Sequence, residues 1–157
     1  MFCTKIYWQV AGVVIALGFN GSANAQTFDR HDVFAIFQSP GGGSHVQLVD
    51  CGDGTPCGTV VWINPSTLDE GETQHTVSGK NGKRVLGTMI LQGFKRKKKG
   101  WQGGTVYAPG NDKTYAAKIR RMENGDLQLK GCVGPICQTQ IWLFISNSQT
   151  FQESGNN

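Results

Sequence analysis

The chain of 157 residues contains 22 Gly, about twice average usage, and only 17% of its residues are charged. This excludes a charge-rich disordered tail, a coiled coil rich in Ala, Glu, Lys and Leu, and a collagen with Gly at every third position. The length fits one domain, and a formal net charge of +4 is too mild for a dedicated nucleic-acid binder unless the charge is concentrated locally.

The chain opens with Lys5, an apolar run from Val10 to Phe19, and small polar residues ending in Ala23-Asn24-Ala25. This order of basic region, short apolar region and Ala-x-Ala site predicts a secretory signal peptide over residues 1–25, cut before Gln26. The apolar run is about half the ~20 residues needed to span a bilayer, so no transmembrane segment is expected after cleavage. Removing 25 of 157 residues leaves 132, and Cys3 departs with the leader. Cys51, Cys57, Cys132 and Cys137 remain. In an exported chain four thiols read as two disulfides, with three possible pairings. The short spacings, each holding Gly and Pro, favour Cys51 with Cys57 and Cys132 with Cys137 as two tight turns. A four-thiolate zinc site would compete with oxidation after export, so no metal is expected.

Beyond Asp32 no long segment has helical periodicity. Asp29–Phe37 reads as one capped turn leading into a strand. Runs rich in β-type residues follow at 45–50, 59–63, 88–92, 104–108, 113–121, 126–131 and 138–145. Turn residues such as Pro40–Gly43, Asp53-Gly54, Asn81-Gly82, Pro109–Asp112, Asn124-Gly125 and Gly134-Pro135 separate them. Leu127 and Leu129 alternate with Gln128 and Lys130, and Tyr115, Ala117 and Ile119 oppose Lys118 and Arg120. Such strands have one buried and one wet face. In the last run Ile141, Leu143 and Ile145 share one face and Trp142 and Phe144 the other, which predicts cover on both sides. The pattern predicts an all-β fold, a small antiparallel meander barrel of about eight strands with a two-sheet sandwich as the rival, over a single domain at 26–150 with a flexible tail at 151–157.

Four pieces, in order, carry a family resemblance. They are Cys51-Gly52 with Cys57-Gly58 and Trp62; Gly82-Lys83-Arg84-Val85-Leu86-Gly87; Trp101-Gln102-Gly103-Gly104 leading to Tyr107-Ala108-Pro109 and Lys113-Thr114-Tyr115; and Leu127–Gly131 followed by Thr139-Gln140-Ile141-Trp142. Together they resemble a family of small exported bacterial proteins known only as a domain of unknown function, with a lipocalin-like (calycin) barrel. The resemblance spans about residues 32–144. It implies a barrel and a periplasmic or secreted location, and no established activity. Members usually start the first strand with Gly-x-Trp and end the last with Trp-x-Arg. Here those positions read Ala35-Ile36-Phe37 and Trp142-Leu143-Phe144. Two rings would replace a cation on a ring, and Phe37 is expected to contact Phe144 at the barrel base.

Lys95, Arg96, Lys97, Lys98 and Lys99 form an uninterrupted cationic run beside Phe94 and Trp101. Such a run cannot alternate into a core, so it reads as a hairpin tip or ragged loop. It would discourage edge-to-edge association, or hold an anionic envelope surface or an acidic protein. Nucleic acid is a weaker expectation, because export removes the usual partner. His31, His45 and His75 read as surface or partly packed side chains, and no nucleophile elbow or phosphate loop is present. No cofactor or catalytic residue is expected. Trp62, Trp101, Tyr107, Tyr115 and Trp142 read as core aromatics or as the lining of a pocket at a barrel mouth. The expectation is a non-enzymatic exported barrel that binds a small apolar or amphipathic molecule. The alternative is an envelope or protein-interaction module that works through Lys95–Lys99.

Overall fold

The computed structural model describes residues 26–147; the expected signal peptide at 1–25 and tail at 151–157 lie outside them. The strands are β1 (Ala35–Gln38), β2 (Ser44–Asp50), β3 (Pro56–Ile63), β4 (Met89–Gln92), β5 (Lys95–Lys97), β6 (Gly100–Ala108), β7 (Lys113–Arg121), β8 (Leu127–Val133) and β9 (Ile136–Asn147). Their order is β4-β3-β2-β1-β9-β8-β7-β6-β5, every pairing is antiparallel, and β4 also pairs with β6, which closes the ring.

β4 and β5 are two pieces of one strand position. Gln92 faces Thr105 and Lys95 faces Gln102, so both pieces keep a single register against β6. Nine strand segments therefore make an eight-position barrel. The break falls at Gly93, whose φ of 75° is the left-handed region that glycine tolerates. Phe94 then turns inward, and its ring fills the space above Gly104, where a Cβ would stand 2.4 Å from a ring carbon.

The predicted alternation sorts the faces. Ala117 and Ile119 of β7 and Leu127 and Leu129 of β8 point inward with Phe37, Val46, Leu48, Val60, Leu91 and Trp142, all buried. Lys118, Arg120 and Lys130 are exposed. The strand β9 differs from its expected double cover. Trp142 is buried, but Ile141, Leu143 and Ile145 remain 38%, 52% and 43% exposed. A single sheet closed on itself covers only its inner face, so an apolar outer stripe stays in water.

Two disulfides join Cys51 to Cys57 across the β2–β3 turn and Cys132 to Cys137 across the β8–β9 turn. In the latter the two cysteines are register partners, separated from the two-residue turn Gly134-Pro135 by the pair Val133 and Ile136. The basic run also forms a hairpin: β5 supplies Lys95, Arg96 and Lys97, and Lys98-Lys99 make the turn into β6.

The barrel has a closed and an open end. At the closed end the segment before β1 crosses the opening. The amide of His31 donates to Asp29 Oδ1 (2.8 Å), the indole N–H of Trp101 donates to the His31 carbonyl (3.0 Å), and His31 Nε2 lies 2.7 Å from the Lys97 carbonyl oxygen. At the open end the chain between β3 and β4 packs against the barrel, burying parts of Leu68, Val77, Val85 and Leu86 against the core. It is fastened to the β6–β7 turn. The Lys80 amide donates to the Pro109 carbonyl (2.9 Å), and the Asn81 amide nitrogen donates to Tyr107 Oη (2.8 Å) and Asp112 Oδ1 (3.2 Å).

Candidate functional site

The open end contains a cavity of about 520 Å³. Its deep wall is apolar, formed by Ile90 of β4, Val106 of β6, Leu129 of β8 and Trp142 of β9. The rim is uncharged and mixed: Tyr107, Asn111, Tyr115, Gln138 and Gln140 supply its polar groups, and the exposed Val133 and Ile136 of the β8–β9 hairpin its apolar edge. Several rim groups are already positioned. The Asn111 side chain donates to Tyr115 Oη (2.7 Å), Tyr107 Oη donates to Asp112 Oδ1 (2.9 Å), and the Trp142 indole N–H donates to Gln140 Oε1 (2.9 Å). Burial and the neighbouring Asp112 carboxylate raise the Tyr107 pKa. No Asp, Glu, His, Lys, Arg or Cys lines the cavity.

Of the five aromatics singled out, Tyr107, Tyr115 and Trp142 line this cavity. Trp101 is buried near the closed end, 3% exposed. Trp62 stacks on its cross-strand partner His45, with ring centroids 4.3 Å apart. Burial lowers the His45 pKa below its ordinary value of 6.5. Because the folded state holds the neutral ring, stability is full above pH 6.5 and falls as the unfolded chain begins to take up the proton. The loss levels off once pH drops below the folded-state value. Urea titrations across this range should show the fall in the parent protein and a flatter profile in His45→Gln; identical profiles would assign the pH dependence elsewhere.

The closed end holds the group that replaces the familiar cation–ring pair. Phe37 and Phe144 meet edge to face with centroids 6.4 Å apart, as expected. The expectation that two rings substitute for a cation needs correction. Arg121 of β7 is 3% exposed, with its guanidinium carbon 4.4 Å from the Phe28 ring centroid, 4.5 Å from Phe144 and 4.9 Å from Phe37. Arg121 Nη1 donates to the Asp32 carbonyl at 3.4 Å, while Nε and Nη2 have no hydrogen-bond partner among the described residues. Aromatic faces stand in for acceptors there. Burial pushes the guanidinium pKa down, opposed by Asp32 and Asp126. The closed end therefore does hold a cation on its rings, and β7 supplies it.

Lys95–Lys99 are all exposed at the closed end, far along the strands from the cavity, with Arg96 lying 5.7 Å from the Trp101 ring centroid. Among the described residues no group of three His, Cys, Asp or Glu side chains gathers as a metal site, and no helix is long and apolar enough to cross a membrane. Leu129 of the deep wall was read from sequence as inward-facing; Ile90 and Val106, and Gln138 and Gln140 on the rim, were not singled out. For Val106, Gln138 and Gln140 the inward phase on β6 and β9 was the available signal, whereas Ile90 lies on the short strand β4, which has too few residues to show a phase.

A closed antiparallel barrel of eight positions, plugged at one end and hollow at the other, is a lipocalin-like fold. It is similar to protein HP1028 from Helicobacter pylori, described as belonging to the lipocalin family: 18% identity, 78% of this chain and 88% of that chain covered, TM-score 0.56. The chain belongs to the family of uncharacterized proteins conserved in bacteria (DUF2147), whose pattern matches residues 36–143. No curated protein matches the sequence.

Proposed function

We propose that this protein is a non-enzymatic carrier or sensor that takes a small, uncharged amphipathic molecule into the open end of its barrel. The observation that carries this reading is the cavity of about 520 Å³ with an apolar floor and an uncharged rim of mixed polar and apolar side chains, within the size range of small-molecule sites. Apolar ligand atoms would rest on Ile90, Val106, Leu129 and Trp142. Hydroxyl, amide or ester groups would meet Tyr115, Gln138 and Gln140. A charged ligand would be desolvated there without a counter-charge, which is costly. With no ionisable nucleophile or acid–base pair lining the cavity other than its tyrosines, binding is favoured over chemistry. Two disulfides fit an exported protein working in an oxidising compartment, in keeping with the leader read from residues 1–25.

Gly131 provides the test. It faces the cavity, and a Cβ there would lie 3.7 Å from a Val106 methyl, an ordinary contact. Gly131→Leu should fold and fill the space. The neutral apolar dye N-phenyl-1-naphthylamine should brighten on binding the parent protein, and its affinity should fall at least ~10-fold in the variant. Native mass spectrometry of gently purified protein should show a retained small molecule that the variant lacks. Dye binding that ignores the Gly131 substitution would sink the proposal.

A further inference from the structure

The cationic run of the sequence is the rim of a larger surface. On the outer face of the barrel a groove of about 550 Å³ is bordered by Arg30, Lys99, Lys118, Arg120 and Lys130, with no acidic residue in its lining. These cations come from the N-terminal segment, the β5–β6 turn, β7 and β8, so only the fold brings them together. Lys118 and Lys130 are register partners, directly opposite each other. Like charges in that relation destabilise a sheet. Among the described residues the ion pair within 4.0 Å is His31 with Asp29, and none of the five groove cations has a carboxylate at that range. The hairpin that extends the groove is held in place by the contact of His31 with the Lys97 carbonyl.

The neighbouring strand adds the second half of the pattern. Gln128 of β8 faces Arg120 on one side and Ile141 of β9 on the other. The row of cations therefore runs beside the exposed stripe of Ile141 and Leu143 on the same outer surface. A soluble polyanion would satisfy the cations and leave the stripe wet. An apolar partner would bury the stripe and strand the charges.

We propose that this face docks on an anionic lipid surface. Lys99, Lys118, Arg120 and Lys130, with the hairpin Lys95–Lys98, take lipid phosphates, and Ile141 and Leu143 reach the interface below the headgroups. Attraction of basic groups to such a surface is worth about a fivefold gain in affinity per cation. The site is separate from the cavity and stands or falls independently of it.

Sedimentation with vesicles tests the assignment. The protein should bind phosphatidylcholine vesicles containing phosphatidylglycerol, bind pure phosphatidylcholine poorly, and release as salt rises. Lys118→Glu with Lys130→Glu should weaken binding on the order of 100-fold, because each reversal removes an attraction and adds a repulsion. Ile141→Ser with Leu143→Ser should weaken it while leaving the salt dependence in place. The exposed loop pair Lys80→Glu with Lys83→Glu carries the same charge change and should have little effect. Since all these side chains are exposed, unchanged circular dichroism spectra and melting temperatures will confirm folding. Binding that is insensitive to the groove reversals overturns the proposal. So does tighter binding to inorganic polyphosphate or to single-stranded DNA than to anionic vesicles, or binding that ignores the apolar pair.

Discussion

Replacing Phe37 by Ala should lower folding stability by about 3–5 kcal/mol, the range for truncating a fully buried aromatic. Phe37 has no exposed surface, and it touches both the Phe144 ring and the Arg121 guanidinium. Truncation opens a cavity and removes one of the three rings around a cation that has two nitrogens without hydrogen-bond partners among the described residues. Part of the loss should therefore depend on the charge. In a double-mutant cycle with Arg121→Met, which keeps the side-chain length and discards the cation, the coupling should be about 1–2 kcal/mol. Urea denaturation of the four proteins measures it. Strict additivity would mean that Phe37 acts by volume alone and that the cation is a passenger.

Gly104→Ala should cost about 2–3 kcal/mol, a large penalty for a single methyl group. The backbone at Gly104 is in an ordinary region, so the reason is purely steric: the new Cβ would stand 2.4–2.6 Å from three atoms of the Phe94 ring. Phe94 is itself 2% exposed, enclosed by the core, and has nowhere to retreat. Gly131→Ala supplies the contrast, since its Cβ would meet nothing closer than 3.7 Å. That change should stay within about 0.5 kcal/mol of the parent, as expected where no special packing is disturbed. Phe94→Leu should make room, so the Phe94→Leu/Gly104→Ala pair should be more stable than the sum of the two single losses. Thermal melts of all four variants check this, and a neutral Gly104→Ala would show that the ring can shift.

Much of the barrel was readable because period-two alternation and turn residues are local signals. Leu127/Leu129 against Gln128/Lys130 named the faces of β8 directly, and Cys132 and Cys137 bracket a turn whose residues are turn formers. What escaped was non-local or went against type. Arg121 follows Tyr115, Ala117 and Ile119 at the same spacing of two, so the inward phase of β7 already pointed it into the core. A charged residue is by habit assigned to water, and only Phe28, Phe37 and Phe144, from distant parts of the chain, make that position tolerable. β5 has no alternation to read because its residues are all exposed. The fastening of Asn81 to Tyr107 and Asp112 joins positions about 30 residues apart, beyond any turn rule. The surplus apolarity of β9 was visible, but its reading as double cover assumed that every apolar face is buried within one molecule.

The pairing of β1 with β9 sets when this ring can shut. Ala35 meets Asn147, while the β4–β6 pairing that completes the other side joins residues such as Gln92 and Thr105, close in sequence. On the ribosome, every neighbour pair except the two made by β9 is available before β9 emerges. Until then the nascent sheet has two bare edges, β1 and β8, and β9 is the strand that covers both. Unpaired edges invite pairing with other chains. A chain cut short before Ile136 would keep both edges open, so aggregation rather than simple loss of binding is its natural fate.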